Sequence, residues 1–250
     1  MKVNDRTKDI IALLKENKAA SVEDLAKLLF VSPATIRRDL TDLEKAGIVR
    51  RTHGGVVYME KTDEVSIFLR QASNPEEKSM VAYIAAHNLP DFNTAFMDNS
   101  STCLALCERM NLRNKTIFTN GLQIALSVSQ QDTASVILPG GELKYNTSAM
   151  YGSLAARMIA SFNYDIAIMS CSAVDSWGSY EASLEAMEIK KVAMERAKKR
   201  VLIFDRTKIG TSTTFCTAPL EYYDMLITNA SNKETEPLRK ISKDIKITNF

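Results

Sequence analysis

Residues 32–57 read SPATIRRDLTDLEKAGIVRRTHGGVV, and the reading of this stretch decides the organisation of the chain. Ser32 offers a side-chain oxygen for a helix N-cap, Pro33 suits a first turn whose N–H groups lack intrahelical partners, and Gly47 suits a left-handed ending. Ile36, Leu40 and Leu43 recur at the i, i+4, i+7 spacing of one buried stripe. At about 100° per residue, Ala34, Arg38, Thr41 and Lys45 then face away from that stripe, with Thr35 and Arg37 on its flanks. Beyond Gly47, Ile48 to Thr52 reads as a strand, His53-Gly54-Gly55 as a turn, and Val56-Val57-Tyr58 as the returning strand.

A helix fits the major groove of a duplex, and small residues and arginines at its N-terminal end reach base edges while a basic wing beside it reaches phosphates. The stretch therefore predicts a winged helix-turn-helix. The same residues also suit a plain surface helix in which Arg38 pairs with Asp42 at i+4, because Asp39, Asp42 and Glu44 nearly offset Arg37, Arg38 and Lys45. The upstream sequence tips the balance. Asp5 or Thr7 opens a helix reaching about Asn17 and burying Ile10, Leu13 and Leu14. Ser21 caps a second helix, with Asp24 in the reciprocal position and Leu25, Leu28 and Leu29 on the inner side. Helix, helix, tight turn, helix, hairpin is the order of a winged fold, held by one small aliphatic cluster.

The whole chain has 250 residues, of which 45% are hydrophobic and 25% charged, as expected of a globular chain with a substantial core. A net charge of +2 makes any nucleic-acid signal a local one. Charges recur every few residues in MKVNDRTKDIIALLKENK, which is unlike a signal or transit peptide, and no apolar run has the length of a membrane span, so a cytoplasmic protein with no membrane partner is expected. Cys103, Cys107, Cys171 and Cys216 do not form a disulfide framework. Cys103 and Cys107 share a helix face, but His53 and His87 lie in other segments, so buried thiols are expected and no metal.

Residues 58–79 mix charges with Ser73-Asn74-Pro75 and keep no period, although Val65, Ile67, Phe68 and Leu69 suit packing against a neighbouring surface. The expected division is a winged helix-turn-helix domain at 1–58, a linker at 59–75 and an α/β domain at 76–250. In the last, apolar runs at 95–97, 116–118, 136–138, 166–169, 201–204 and 225–227 alternate with helix-length segments such as 102–110, 122–130, 154–162 and 184–199. That alternation predicts a mainly parallel sheet covered by helices.

Small polar or glycine-containing loops follow the runs: Asp98-Asn99-Ser100-Ser101-Thr102, Thr119-Asn120-Gly121, Pro139-Gly140-Gly141, Ser170-Cys171-Ser172 and residues 205–210, DRTKIG. In an open parallel sheet such loops converge on one crevice at the carboxyl ends of the strands. Their hydroxyls and amides suit an anion, with Lys208 as a point charge, which makes a small phosphorylated ligand the natural candidate. Ordinary helix capping accounts for Thr119-Asn120-Gly121 and Gly140-Gly141 taken alone. Three hydroxyls in a row at Ser100-Ser101-Thr102 exceed what one cap requires.

The chain resembles the DeoR/GlpR family of bacterial transcriptional repressors over essentially its whole length. The resemblance is carried by SPATIRRDLTDLEKAGIVRRTHGG at 32–55, by Arg70 and Asn74-Pro75-Glu76-Glu77-Lys78, by the loops at 98–102 and 119–121, by LPGGEL at 138–143, by Glu188-Ile189-Lys190-Lys191 and by DRTKIG at 205–210. It implies an effector domain related to ribose-5-phosphate isomerase A, binding a phosphorylated sugar or similar metabolite that alters affinity for double-stranded operator DNA. Asp98, Ser100, Ser101, Thr102, Thr119, Asn120, Lys190 and Lys208 are the effector candidates, with the three hydroxyls of 100–102 on the phosphate. Three departures stand out: Ser100 for the usual glycine, Ser170-Cys171-Ser172-Ala173 without the usual glycines, and Asn229 where aspartate is common.

Thr35, Arg38 and Thr41 are the candidates for base edges, Arg37, Arg50, Arg51 and His53 for phosphates or the minor groove, and Ser32 for the helix start facing the DNA. One winged domain reads few base pairs, so a homo-oligomer, dimer or tetramer, is expected to present two or more to repeated half-sites. An isomerase would need a carboxylate base after the fourth strand, where this chain has Ser170, Cys171, Ser172 and Ala173, so no catalytic residue and no cofactor are expected. The alternative is a sugar-phosphate isomerase-like enzyme with an appended helical domain, using Asp175, Glu181 or Glu185. A sensor domain that serves only to oligomerise is a third reading.

Overall fold

The computed structural model describes residues 5–45, 48–52, 55–58, 66–239 and 246–248. The chain divides into two compact units, Met1–Ser73 and Asn74–Phe250.

In the first unit, helices α1 (Asp5–Asn17), α2 (Val22–Leu28) and α3 (Pro33–Lys45) pack with strands β1 (Ala19–Ser21), β2 (Val49–Thr52) and β3 (Gly55–Tyr58). The sheet runs β1-β3-β2, antiparallel throughout, with Ala19 opposite Val57 and Arg51 opposite Val56. Strand β1, the residues AAS, is too short to show a period and was not anticipated. The core holds Ile10, Leu14, Leu25, Ile36, Leu40 and Leu43, all fully buried, so the i, i+4, i+7 stripe of α3 points inward as expected. Leu28, expected on the inner side of α2, is instead exposed, because Val22, Leu25 and Ala26 already fill that short helix's buried face. Ser21 Oγ accepts from Asp24 N at 2.9 Å and donates to the Asp24 carboxylate at 2.7 Å, so the cap forms, with the carboxylate on the hydroxyl. The stretch read as a linker carries helix α4 (Ile67–Ala72), whose Phe68 and Leu69 pack against the same core. Gly47 and Val65 lie outside the described residues.

The second unit opens with α5 (Pro75–Asn88), with Pro75 in its first turn and Asn74 left-handed before it. Then follow β4 (Thr94–Met97), α6 (Ser101–Cys107), β5 (Thr116–Thr119), α7 (Leu122–Ser129), β6 (Ser135–Ile137), the hairpin β7 (Glu142–Lys144) and β8 (Ala149–Tyr151), α8 (Ser153–Ala160) and β9 (Tyr164–Met169). After these come β10 (Ala173–Val174), β11 (Gly178–Glu181), α9 (Leu184–Glu195), β12 (Ala197–Phe204), β13 (Phe215–Pro219), β14 (Met225–Thr228), α10 (Asn232–Arg239) and β15 (Lys246–Thr248). Seven strands form one parallel sheet in the order β15-β14-β12-β9-β4-β5-β6. A small antiparallel sheet, β10-β11-β13, stands apart from it.

Alternation sends side chains to two cores. Ile166, Ile168, Val201 and Ile203 pack with Val81, Ala85, Leu106 and Ile124, while Ala167, Met169, Leu202 and Phe204 pack with Ala155, Ile159, Ile189 and Ala193. Both faces of the sheet are therefore covered, which is why its strands read as continuous apolar runs. The helix expected at 184–199 ends earlier. Ala197 to Arg200 extend β12 and pair with Tyr164 to Ala167 of β9, since ladder hydrogen bonds outweigh the helix preference of AKKR. Cys103 and Cys107 are buried; the Cys103 thiol donates to Ile168 O at 3.5 Å, and burial pushes the Cys107 thiol up to about 12.

Candidate functional site

Helix α3 begins at the cap its sequence specifies. Ser32 Oγ accepts from Thr35 N at 3.2 Å and shares a hydrogen bond with Thr35 Oγ1 at 2.9 Å. Arg37 reaches Glu23 of α2 at 3.4 Å, an exposed pair. Arg38 is exposed and has no ion pair or hydrogen bond among the described residues, so the Arg38–Asp42 pair of a plain surface helix is not made. Thr41 Oγ1 donates to Arg37 O at 2.8 Å and accepts from Arg51 Nη1 at 3.1 Å, which draws the β2 arginine onto the exposed side of α3.

Two of the three acids that offset these arginines in the sequence, Asp39 and Glu44, are engaged within the unit. Arg6 of α1 grips Asp39 with two hydrogen bonds, at 2.6 and 3.2 Å, and Glu44 accepts from Arg51 N at 2.8 Å. Arg50 stands opposite Val57 in the β2–β3 ladder. His53 lies outside the described residues.

At the carboxyl end of the parallel sheet, Asp98, Ser100, Ser101, Thr102, Thr119 and Asn120 come together, all of them buried. Ser100 caps α6 through Cys103 N at 3.1 Å and donates to Asp98 Oδ1 at 2.6 Å. Thr119 Oγ1 accepts from Gly121 N at 3.0 Å. Gly121 is required here, because a Cβ on it would stand 2.9 Å from Asn99 Cα. The β7–β8 hairpin closes against these loops: Met150 N donates to Asn120 O at 2.8 Å, and Asn99 Nδ2 donates to Tyr151 Oη at 3.1 Å.

Lys190 of α9 lies beneath the loops, 4% exposed. Its ammonium meets Asp98 Oδ2 at 2.8 Å, donates to Ser170 O at 2.7 Å, and pairs with Glu181 Oε1. All three of its protons are thereby engaged. Burial alone would raise the Asp98 carboxyl, but Lys190 and the Ser100 hydroxyl outweigh it and hold the carboxyl below its ordinary range. Burial likewise opposes the Lys190 charge, and Asp98 and Glu181 outweigh it, raising the ammonium well above the usual lysine range. Glu181 also accepts from Ser172 Oγ at 3.0 Å. Sequence reasoning saw Glu181 only as a possible base; no local spacing marks a glutamate whose partner sits on a following helix.

Lys208 follows β12 in a short 3₁₀ turn, half-buried, with no ion pair among the described residues. The same turn is tied to α5. Arg206 Nη2 meets Glu77 at 2.7 Å, Arg206 N donates to Asn229 Oδ1 at 2.9 Å, and Asn229 Nδ2 donates to Glu77. An aspartate at 229 would set a carboxylate against Glu77, which gives the asparagine its physical reason. Two buried acceptors at the strand ends, Asn120 Oδ1 and Asp205 Oδ2, have no hydrogen-bond partner among the described residues. The acids considered as bases are otherwise engaged: Asp175 closes the β10–β11 turn through Trp177 N at 2.8 Å and Gly178 N at 3.1 Å, and Glu185 pairs with Lys144 at 2.5 Å.

A winged helix-turn-helix joined to a separate parallel α/β unit with buried polar loops at its strand ends is the build of a two-part regulator. The chain belongs to the DeoR family: residues 6–62 match the DeoR-like helix-turn-helix domain and residues 73–230 the DeoR C terminal sensor domain. It is 33% identical over 243 residues to the HTH-type transcriptional regulator GolR of Listeria innocua, covering 96% of this chain and 95% of that protein. To the glycerol-3-phosphate regulon repressor of Escherichia coli it is 30% identical over 232 residues, covering 92% of each. Among solved structures, ribose 5-phosphate isomerase A from Methanocaldococcus jannaschii aligns over 55% of both chains with a TM-score of 0.41 and 14% identity. The sorbitol operon regulator SorC from Klebsiella pneumoniae aligns over 95% of this chain and all of that one, with a TM-score of 0.41 and 12% identity. Among the described residues no helix is long and apolar enough to cross a membrane.

Proposed function

We propose that this chain is a transcriptional repressor of a sugar-metabolism operon, whose grip on double-stranded operator DNA is set by a phosphorylated sugar or related metabolite. The observation that carries the reading is the exposed face of α3. Asp39 is gripped by Arg6 and Glu44 by the Arg51 amide, Arg38 makes no pair with Asp42 or any other described residue, and Thr35, Thr41 and the Arg51 guanidinium share its helix and hairpin. Arg38, Thr35 and Thr41 address base edges, while Arg37, Arg50, Arg51 and His53 address phosphates and Ser32 starts the helix at the groove. The domains work as a winged unit at 1–58, a connecting segment at 59–75 and an effector-sensing, oligomerising unit at 76–250, with a dimer or tetramer presenting paired winged units to repeated half-sites.

In the sensor, Lys208 supplies the cation for a phosphate and the hydroxyls of Ser101 and Thr102 supply donors, while Ser100, whose proton goes to Asp98, caps the helix that carries them. Thr119 and Asn120 meet the sugar, a ligand hydroxyl satisfying the unpaired Asn120 Oδ1. Asp98 and Lys190 hold the floor on which those groups stand. The name of the glycerol-3-phosphate regulon repressor, a relative over nearly the full length, favours a ligand of this chemical class.

Regulation is preferred over isomerase chemistry because Asp98 and Glu181 are ion-paired to Lys190 and Asp175 is spent on its own turn. Selection of bound duplexes from a random library, repeated with a panel of sugar phosphates, tests the reading. A defined sequence should be enriched, and one sugar phosphate should change its recovery. At 100 times its dissociation constant, that ligand should add about 2.7 kcal/mol of stability. Absence of any sequence preference at moderate salt overturns the proposal, and isomerisation that vanishes in Asp175→Asn transfers it to the enzyme reading.

A further inference from the structure

Helix α2 ends with an aromatic residue where the backbone asks for glycine. Phe30 N donates to Lys27 O at 3.3 Å and Val31 N donates to Ala26 O at 3.0 Å, the two back-reaching hydrogen bonds of a Schellman ending. That ending holds the residue after the cap in the left-handed region, and Phe30 has φ of +52°. A Cβ is disfavoured there, a bulky side chain strongly so. The ring gains nothing from packing in exchange. It is 94% exposed, while its neighbours Leu29 and Val31 lie against the winged unit's core.

A single exposed apolar residue is ordinary. A strained backbone that also projects a bare ring is not, and such outliers persist where something outside the chain uses them. The position narrows what that is. Phe30 stands two residues before Ser32, the cap of α3, on the approach to the exposed Arg37 and Arg38 and the exposed Lys27. Cationic neighbours disfavour an apolar protein partner. They suit a polyanion whose outer surface alternates phosphates with the apolar faces of deoxyriboses.

We propose that Phe30 is a DNA-contact residue, its ring packing on the deoxyribose backbone at the edge of the groove that α3 enters, aimed there by its left-handed turn. This rests on the DNA-binding reading above. The contact is apolar and lies outside the base edges, so it adds affinity without sequence preference and without displacing counterions.

The test compares full-length wild type, Phe30→Gly and Phe30→Leu on a selected duplex and on a random-sequence duplex across a salt series, with thermal unfolding of each protein. Phe30→Gly should weaken binding to both duplexes about tenfold, the effect of losing part of a buried phenyl ring. Its salt slope should be unchanged and its melting temperature equal or higher, since glycine relieves the strain. Phe30→Leu should retain most of the affinity. Unaltered binding by Phe30→Gly, a changed salt slope, or a loss that tracks a fall in melting temperature each overturns the assignment. Wild type that binds neither duplex overturns the DNA-binding reading and this inference with it.

Discussion

Two serines do the same local job in this molecule under opposite conditions. Ser32 caps α3 and Ser100 caps α6, each accepting from the amide three residues on. Ser32 faces solvent beside unpaired arginine, whereas Ser100 is buried against a carboxylate whose counter-charge is an ammonium on a distant helix. The winged unit keeps Asp39 and Glu44 occupied and Arg37 and Arg38 outward, which suits a broad polyanionic surface. The sensor unit keeps both signs of charge inside and in register, which suits a small ligand that must be selected by shape. Identical capping chemistry thus stands in two electrostatic settings, and burial sets them apart.

The sharpest way to break this contrast is to remove the buried cation. Lys190→Ala should destabilise the sensor unit by about 3–5 kcal/mol by leaving two carboxylates unpaired, read by urea unfolding through the single tryptophan, Trp177. The pH dependence has a definite sign. The depressed Asp98 carboxyl contributes stability above the ordinary carboxylate range and loses it as pH falls through its folded value, while the raised Lys190 contributes below the ordinary lysine range and loses it as pH climbs through its own. The Lys190→Ala deficit should therefore shrink as pH falls, because without Lys190 burial favours the neutral carboxyl and Asp98 of the variant takes up a proton before the wild-type group does. A deficit independent of pH would show that packing, not charge, is what Lys190 supplies.

Next in size, Arg38→Ala should lose roughly 1–3 kcal/mol of preference for operator over random DNA with the fold intact, whereas Arg51→Ala should weaken both and lower the salt slope by about one unit. Equal losses on the two duplexes for Arg38→Ala would remove it from base recognition. The caps give the smallest effect and sharpen the comparison most directly. Ser32→Ala should cost about 1 kcal/mol of stability, and Ser100→Ala about twice that, because it also strips a hydrogen bond from buried Asp98. Equal losses in chemical denaturation would mean that burial adds nothing to the cap.

Much of this was legible before any coordinates. The apolar stripe of α3, the caps at Ser21 and Ser32, and six of the seven strands of the parallel sheet follow from periodicity and from runs bounded by turn residues. The seventh strand, β15, is an edge with Ile247 as its one apolar residue, so nothing distinguishes it from loop. The β10-β11-β13 sheet is built from short mixed segments, and its β11–β13 partners lie 30 or more residues apart, as in Tyr180 opposite Cys216. Of the strand-end loops, those at 98–102, 119–121 and 170–172 meet, through Ser170 N on Asp98 and Gly121 against Asn99. What spacing does not reveal is that Lys190 is consumed by Asp98 and Glu181, or that Arg6 turns Asp39 away from the arginine face. Those pairings join residues remote in sequence, and local patterns hold no information about them.

The order of strands in the parallel sheet also sets a timetable during synthesis. β9, at its centre, is emitted long after its neighbour β4, with Ala95 waiting for Ile166, and β12 comes later still. The winged unit has its packing partners, α4 included, within Met1–Ser73, so it can mature on the ribosome while the sheet is still a set of unpaired edges. For that interval the nascent chain carries a finished reading head and an unfinished switch.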